Sequence, residues 1–450
     1  MSSSLIVHPA TGPLVGSVPV PSDKSIGHRA ILFAALSTGP SRVRGLSFGE
    51  DNVATLRAFE AMGIETERGD GEVTVRGRGL YGLRAPNAPL DCGNSGTTMR
   101  LLCGVLAAQR FDSELIGDAS LSGRPMGRVA NPLRQRGARI EGAPHPRKAN
   151  DIVPPLRIGA LPQGEMLGGL EYDSPVASAQ IKSALLLSGL YAAGPTLLRE
   201  PAVSRDHTER MLQAFGVPLQ TVGSLVRLDP KGWNGQIEPF ELDVPGDPSA
   251  AAFLLAAGLM VPSSRVTVRA VCTNPTRVGF LEAIRDMGAA LVIEPQGDLF
   301  SEPVAHLHVA GEGGLRGTVL GGERVVRALD EIPIALALAA CADGVTTLTD
   351  AEELRVKESD RLAVMAEVLR AFGVELEERP DGMIVRGRAQ LRAAEIHSHG
   401  DHRIAMSAAI LALVADGPST IRDVECIATS FPRFVGTLRA LGAQVEVQST

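Results

Sequence analysis

Phe59-Glu60-Ala61-Met62-Gly63-Ile64 is a helical apolar stretch, stopped by a glycine and followed by a β-branched residue. The same phrase returns at Arg136-Gly137-Ala138, Ala214-Phe215-Gly216-Val217, Asp286-Met287-Gly288-Ala289, Ala371-Phe372-Gly373-Val374 and Ala440-Leu441-Gly442-Ala443. The glycines stand roughly 70 to 85 residues apart, a spacing that signals repeated modules. A glycine just past a helix reads as a left-handed cap, because only glycine takes positive φ without steric cost. Each phrase therefore predicts helix, glycine stop, strand.

A second pattern lies between these phrases. A strand ends in a short polar cluster and an Ala/Leu-rich helix follows. The clusters open near Asp23-Lys24-Ser25, Gly93-Asn94-Ser95, Ser178-Ala179-Gln180, Gly246-Asp247-Pro248-Ser249, Asp330-Glu331-Ile332-Pro333 and Gly400-Asp401-His402. Helices such as Ile31 to Leu36, Met99 to Ala108 and Ala250 to Met260 are apolar nearly all round, so they belong in an interior. One repeat buries too little surface to be stable alone. Three make a domain of ordinary size, and the 450 residues accommodate two such domains.

The grouping has a mark in the sequence. Val18-Pro19-Val20-Pro21-Ser22-Asp23 resembles Leu242-Asp243-Val244-Pro245-Gly246-Asp247. Extended chain with proline thus opens both halves. The hinge crossings are expected near residues 20–22 and 243–245. One domain would hold residues 21–244, and the other residues 1–20 with 245–450. Repeats alone also fit an α-solenoid or a doubly wound α/β protein in which they are purely structural.

Composition narrows the function. The chain is 44% hydrophobic and 21% charged, as a folded globular protein is. A net charge of -7 argues against nucleic acid and anionic membranes as partners. One Trp and three Tyr supply little for stacking bases. Cys92, Cys103, Cys272, Cys341 and Cys426 are odd in number and lack CxxC spacing, which suits reduced thiols. Met1 to Ala10 lack a signal-peptide pattern, and the longest apolar runs are too short to span a bilayer. These features point to the cytoplasm.

The cations are in unexpected places. A helix N-terminus carries partial positive charge, and Lys or Arg there costs a few tenths of a kcal/mol. Yet Lys24 and Arg403 open predicted helices, with Arg29 and Arg100 about a turn further in. One such residue is a solvated face; the same arrangement repeated implies bound anions, which N–H groups and cations hold together. Arg124, Arg205, Lys357 and Arg361 lie in polar clusters of the same kind. In one helix, Lys357 and Arg361 would share a face, with Glu358 beside them. The ligands expected are small and multiply charged, such as phosphates and carboxylates. Gly93-Asn94-Ser95-Gly96-Thr97-Thr98 lacks the Gly-Lys-Ser/Thr ending of a nucleotide P-loop, but it can form an anion nest. His397, His399 and His402 lack a convincing metal-ligand pattern, so no metal site is expected.

Several motifs, in order, resemble those of the 5-enolpyruvylshikimate-3-phosphate (EPSP) synthase family. They are Asp23-Lys24-Ser25-Ile26-Gly27-His28-Arg29, Gly93-Asn94-Ser95-Gly96-Thr97, Arg124-Pro125-Met126-Gly127, Arg355-Val356-Lys357-Glu358-Ser359-Asp360-Arg361 and Asp401-His402-Arg403-Ile404-Ala405-Met406. The resemblance runs from about residue 8 to about residue 447. Ser178-Ala179-Gln180-Ile181-Lys182-Ser183 and Ile427-Ala428-Thr429-Ser430-Phe431-Pro432 are similar to the class II subgroup.

The resemblance implies an α/β fold: a two-domain inside-out α/β barrel of six βαβαββ repeats, three per domain, with helix N-termini facing an interdomain cleft. It implies transfer of the enolpyruvyl group of phosphoenolpyruvate to the 5-hydroxyl of shikimate 3-phosphate, by addition and then loss of phosphate. No cofactor is implied, and a monomer is expected. By the same resemblance, Lys24 would contact both substrates, as would Gln180. Ser25, Arg29, Ser178, Arg205 and Lys357 would hold shikimate 3-phosphate. Gly96, Arg124, Arg361 and Arg403 would hold phosphoenolpyruvate. Asp330 would accept the hydroxyl proton, and Glu358 with Lys24 would manage the proton at the methylene carbon.

Three positions depart from other members. Ser430 stands where many class I members carry Lys, and Glu353 where they often carry Asn. Gly96 lacks the methyl of the Ala found in some glyphosate-tolerant members, so it is expected to leave room for that inhibitor.

Two rivals remain distinguishable. The related transferase acting on UDP-N-acetylglucosamine usually has a Cys before its Arg-Pro loop, whereas Asp118-Ala119-Ser120-Leu121 has none. A non-catalytic anion-binding protein on the same fold would need the cations but not Asp330, Glu358 and Lys24 together.

Overall fold

A computed structural model of the chain describes residues 3–388 and 390–449. Met1, Ser2, Ala389 and Thr450, which the expected 1–20 and 245–450 domain includes, lie outside the described residues.

The glycine stops form as the sequence predicts. Gly63, Gly137, Gly216, Gly288, Gly373 and Gly442 all have positive φ, from +72° to +106°. They follow the helices Glu50–Ala61, Gly127–Gln135, His207–Ala214, Gly279–Asp286, Arg361–Ala371 and Phe434–Ala440. Each leads into a strand, as Gly63 does into Glu65–Arg68.

The described strands form six four-stranded sheets, each built alike. In one, Leu90–Asp91 runs parallel to Ser113–Ile116, and Ile152–Gly159 and Arg139–Pro144 add antiparallel. With the helices Gly96–Leu106 and Gly127–Gln135 between them, the element order is βαβαββ. A sheet in every repeat excludes the α-solenoid.

The chain divides into two compact units. The Lys24 unit comprises Ser22–Val244 and the hairpin tip Leu299–Glu302. The Asp330 unit comprises the residues up to Pro21, Pro245–Asp298 and Pro303 onward. Each unit completes its first sheet with a strand that the chain makes just before leaving it. In the Lys24 unit, Glu241–Asp243 pairs parallel with Pro40–Arg44. In the Asp330 unit, Val15–Pro19 pairs parallel with Arg265–Cys272.

The apolar helices are interior. Every residue of Pro248–Met260 is buried, as is nearly all of Lys24–Leu36. Burying one Leu or Phe fully contributes about 1.5–3 kcal/mol, so these helices carry much of each core. They pack at close range through small residues. In the Lys24 unit, a Cβ added to Gly104 would lie 2.3 Å from the carbonyl oxygen of Ala184, in the helix Ala179–Gly189. Backbone cannot yield as a side-chain tip can. Gly104→Ala is expected to destabilise the chain by about 1–3 kcal/mol, despite the better helix propensity of alanine. Urea denaturation would measure it, and a stabilised variant would contradict the packing.

One expectation is corrected. Lys357 and Arg361 do not share a helix. Lys357 ends the 3-10 turn Glu352–Val356 in extended conformation, and Arg361 is the first residue of Arg361–Ala371. Asp360 intervenes as an N-cap that accepts the Ala363 N–H, so the helix starts there.

Candidate active site

In the Lys24 unit the polar clusters sit at helix starts. Asp23 caps the first helix by accepting the Ile26 N–H at 2.8 Å. Lys24 then points its ammonium at Asp51, 2.9 Å away. One turn on, buried Arg29 donates to the Ser25 carbonyl, Thr208 and Ser183 at 2.9, 2.6 and 2.7 Å. Burial, with repulsion from Arg205 and despite Glu209 and Asp23, brings Arg29 down to about 10, so it stays charged at neutral pH.

Ser95 caps the next helix by accepting the Thr98 N–H at 3.1 Å. Gly96 opens that helix. A Cβ there would meet Arg100 Nη1 at 2.6 Å and Arg124 Nη1 at 3.2 Å. Arg124 is held by Asn94 at 2.7 Å. Gln180 bridges helices: its amide donates to Thr97 at 2.9 Å, and its carbonyl oxygen accepts from Arg100 at 2.8 Å. Lys24, Ser25 and Arg29 thus share one helix start, while Gly96, Arg124 and Gln180 form a neighbouring group.

His28, on the same helix as Lys24, is wholly buried. Its Nδ1 meets Thr55 Oγ1 at 2.7 Å, while its Nε2 has no partner among the described residues. Burial, with repulsion from Lys24 and Arg29 and against Asp51 and Asp23, lowers the imidazole to about 3. The unfolded chain therefore binds a proton, between about pH 6.5 and that value, which the folded chain refuses. This contribution destabilises the fold as pH falls from 6.5, at up to about 1.4 kcal/mol per pH unit. His28→Gln is expected to flatten the dependence by one proton. Chemical denaturation at a series of pH values checks it; an unchanged slope contradicts it.

The Asp330 unit builds a tighter cluster. Arg361, 1% exposed, donates Nε to Asp401 at 2.8 Å and Nη2 to Glu358 at 2.6 Å, and its Nη1 lies 3.3 Å from Asp330. Arg403 donates to the Asp330 carbonyl oxygen at 3.0 Å, and its Nη2 lies 3.5 Å from the Asp330 carboxylate. Burial opposes the charge on Arg361, but Asp401, Glu358 and Asp330 together hold it well above the ordinary range. Asp401 also caps its own helix, accepting the Arg403 N–H at 2.9 Å. Desolvation opposes its ionisation too, yet Arg361 keeps its carboxyl below the usual range.

Lys357 sits 3.8 Å from Glu353. Desolvation lowers its ammonium below the usual range, with Asp330, Glu353 and Glu358 pulling the other way. The Ser430 hydroxyl is buried without a partner among the described residues. Asp330, Glu358, Arg361 and Arg403 are therefore one connected group, with Lys357 in its field.

Sequence reasoning missed the acids and amides that hold the cations: Asp51, Asn94 and the second role of Asp401. Asp401 carried an N-cap signal, but its partner Arg361 is 40 residues away in sequence. A long-range pair has no local pattern.

The family model described as EPSP synthase (3-phosphoshikimate 1-carboxyvinyltransferase) matches residues 9–438. The chain belongs to this family. A 3-phosphoshikimate 1-carboxyvinyltransferase of Geobacter sp. (strain M21) is 49% identical over 423 residues, covering 94% of this chain and 96% of the relative. One from Acidithiobacillus ferrooxidans is 49% identical over 437 residues, 97% of each chain. The solved EPSP synthase of Acinetobacter baumannii superposes with a TM-score of 0.88 at 43% identity, covering 99% of this chain and 100% of that one. The fold is thus the two-domain inside-out α/β barrel of EPSP synthases. The chain is a transferase: it moves the enolpyruvyl group of phosphoenolpyruvate to shikimate 3-phosphate in aromatic biosynthesis.

Proposed function

We propose that the two cation clusters divide the work of this EPSP synthase reaction, with Asp330 as its base. The observation that carries this is the Asp330 carboxylate flanked by Arg361 and Arg403, with Glu358 on the same Arg361. A carboxylate can take a hydroxyl proton there, while two guanidinium groups stand ready for an anion's charge.

In this reading Ser25, Arg29, Ser178, Gln180, Arg205 and Lys357 hold shikimate 3-phosphate. Gly96, Arg124, Gln180, Arg361 and Arg403 hold phosphoenolpyruvate, and Lys24 contacts both. The 5-hydroxyl oxygen forms a bond to C2 of phosphoenolpyruvate as its proton passes to Asp330. Glu358 with Lys24 delivers a proton to C3, giving a tetrahedral adduct. Glu358 with Lys24 then takes a proton back from C3, the C–H pair reforms the double bond, and the C2–O bond breaks with its electrons leaving on phosphate. The cations stabilise charge on the adduct and on departing phosphate. The Lys357 side chain is 29% exposed, so a phosphate can reach its ammonium, which supports its part.

Phosphate release is the test. It is expected to require both shikimate 3-phosphate and phosphoenolpyruvate. Glu358→Ala should lower it sharply in a folded protein, and a rate near the parent's would remove Glu358 from the proton transfers. Gly96 leaves open the space its Cβ would occupy beside Arg100 and Arg124. Glyphosate is therefore expected to compete with phosphoenolpyruvate, and non-competitive behaviour would reject that.

The proposal extends to the chain as a whole: a cytoplasmic monomer, hinged near residues 20–22 and 243–245, with domains 1–20 plus 245–450 and 21–244. No helix among the described residues is long and apolar enough to cross a membrane.

A further inference from the structure

Four of the six buried helices open on a residue whose side chain caps its own helix: Asp23, Ser95, Asp247 and Asp401. The helix Ala179–Gly189 opens on Ser178, whose hydroxyl makes no such bond. Its main chain is held from outside the helix. The Ser178 N–H donates to Glu200 Oε1 at 2.9 Å.

Glu200 does more than this. Its carboxylate accepts the Ser204 hydroxyl at 2.7 and 2.9 Å. Ser204 immediately precedes Arg205. Glu200 in turn is gripped by Lys182, 2.8 Å from its Oε2. The same ammonium lies 2.8 Å from Glu209 and 3.1 Å from the Ser204 carbonyl oxygen. The ammonium is therefore paired with both carboxylates while it donates to the Ser204 carbonyl oxygen. Lys182, Glu200 and Glu209 are 2%, 3% and 3% exposed. Burial alone would lower the Lys182 ammonium, but Glu209 and Glu200 outweigh it and hold it above the ordinary range.

A buried ion cluster contributes little net stability, because desolvating its charges offsets their attraction. This cluster joins the residue before Arg205 to the main chain of Ser178. It also leaves the Ser178 hydroxyl uncommitted to a helix cap. We infer that Lys182 and Glu200 are positioning residues that fix Ser178 and Arg205 for shikimate 3-phosphate. The inference rests on the assignment of those two residues to that substrate.

The test is steady-state kinetics of the full chain, with thermal midpoints to establish folding. Ser178→Ala is the reference and should raise KM for shikimate 3-phosphate. Glu200→Gln keeps the shape but loses the charge. It should raise the same KM about tenfold, as loss of a charged hydrogen bond does. KM for phosphoenolpyruvate should rise less than KM for shikimate 3-phosphate, because Gln180 alone of its proposed contacts lies on this helix. Lys182→Met should act in the same direction. Combined with Ser178→Ala, Glu200→Gln should cost less than the product of the separate effects, since one acts through the other.

A purely structural role would lower the thermal midpoint and raise both KM values alike, which overturns the inference. So would independent, multiplicative effects. If Ser178→Ala is effective and folded Glu200→Gln is not, the clamp alone fails. If Ser178→Ala is silent, the substrate assignment fails and takes the clamp with it. Should Lys182→Met not fold, Glu200→Gln decides.

Discussion

Asp330→Ala is expected to lower kcat by about 10²- to 10⁴-fold, the usual loss when a positioned acid–base group is removed. The fold should survive. Arg361 keeps Asp401 and Glu358, at 2.8 and 2.6 Å, so no buried guanidinium is stranded. Arg403 keeps the Asp330 carbonyl oxygen at 3.0 Å, a main-chain contact that alanine preserves. The expected pattern is therefore a chemical lesion in a stable protein. Asp330→Asn sharpens the test, since it keeps the shape and removes the charge that draws the proton. A rate within tenfold of the parent, in either folded variant, would exclude Asp330 as the base.

Arg361→Leu should damage both stability and binding. Arg361 is 1% exposed and pairs at 2.8 Å with the fully buried Asp401. Removing one partner of such a pair leaves an uncompensated buried charge, at a cost of about 3–5 kcal/mol. Asp401 would retain the Arg403 N–H and the Ser359 hydroxyl, at 2.9 and 3.0 Å, which soften the loss without replacing the cation. Denaturant unfolding measures this term. Arg361→Lys should not restore the parent, because an ammonium cannot reproduce the fork that reaches Asp401, Glu358 and Asp330 together. In whatever fraction folds, KM for phosphoenolpyruvate should rise. A loss below about 1 kcal/mol would mean that the ion cluster adds almost nothing to the fold.

The local elements were legible in the amino-acid sequence, because their causes lie within a few residues. A glycine such as Gly63 stops a helix through its own φ, here +86°. An acid such as Asp23 starts one by bonding an N–H three residues on, as it does with Ile26. The repeat and the buried helices followed from such short-range rules, and the cations at their mouths stood out as exceptions to them. The family resemblance was legible too, carried by motifs.

What lies beyond that reach belongs to the tertiary structure. Lys357 and Arg361 looked like helical neighbours at a spacing of four, but Asp360 caps between them and puts them in different elements. Asp401 as the partner of Arg361, Glu200 as the holder of Ser178 and Lys182 as the tie between two glutamates have no sequence signal. The physical reason is distance along the chain. Caps and turns are decided by the backbone nearby, while a buried charge takes whatever partner the packing brings within 3 Å. The sequence alone therefore determined the repeats, their helix starts and the kind of ligand they suit. Tertiary packing decided which acid neutralises which cation, and so which side chains are held ready.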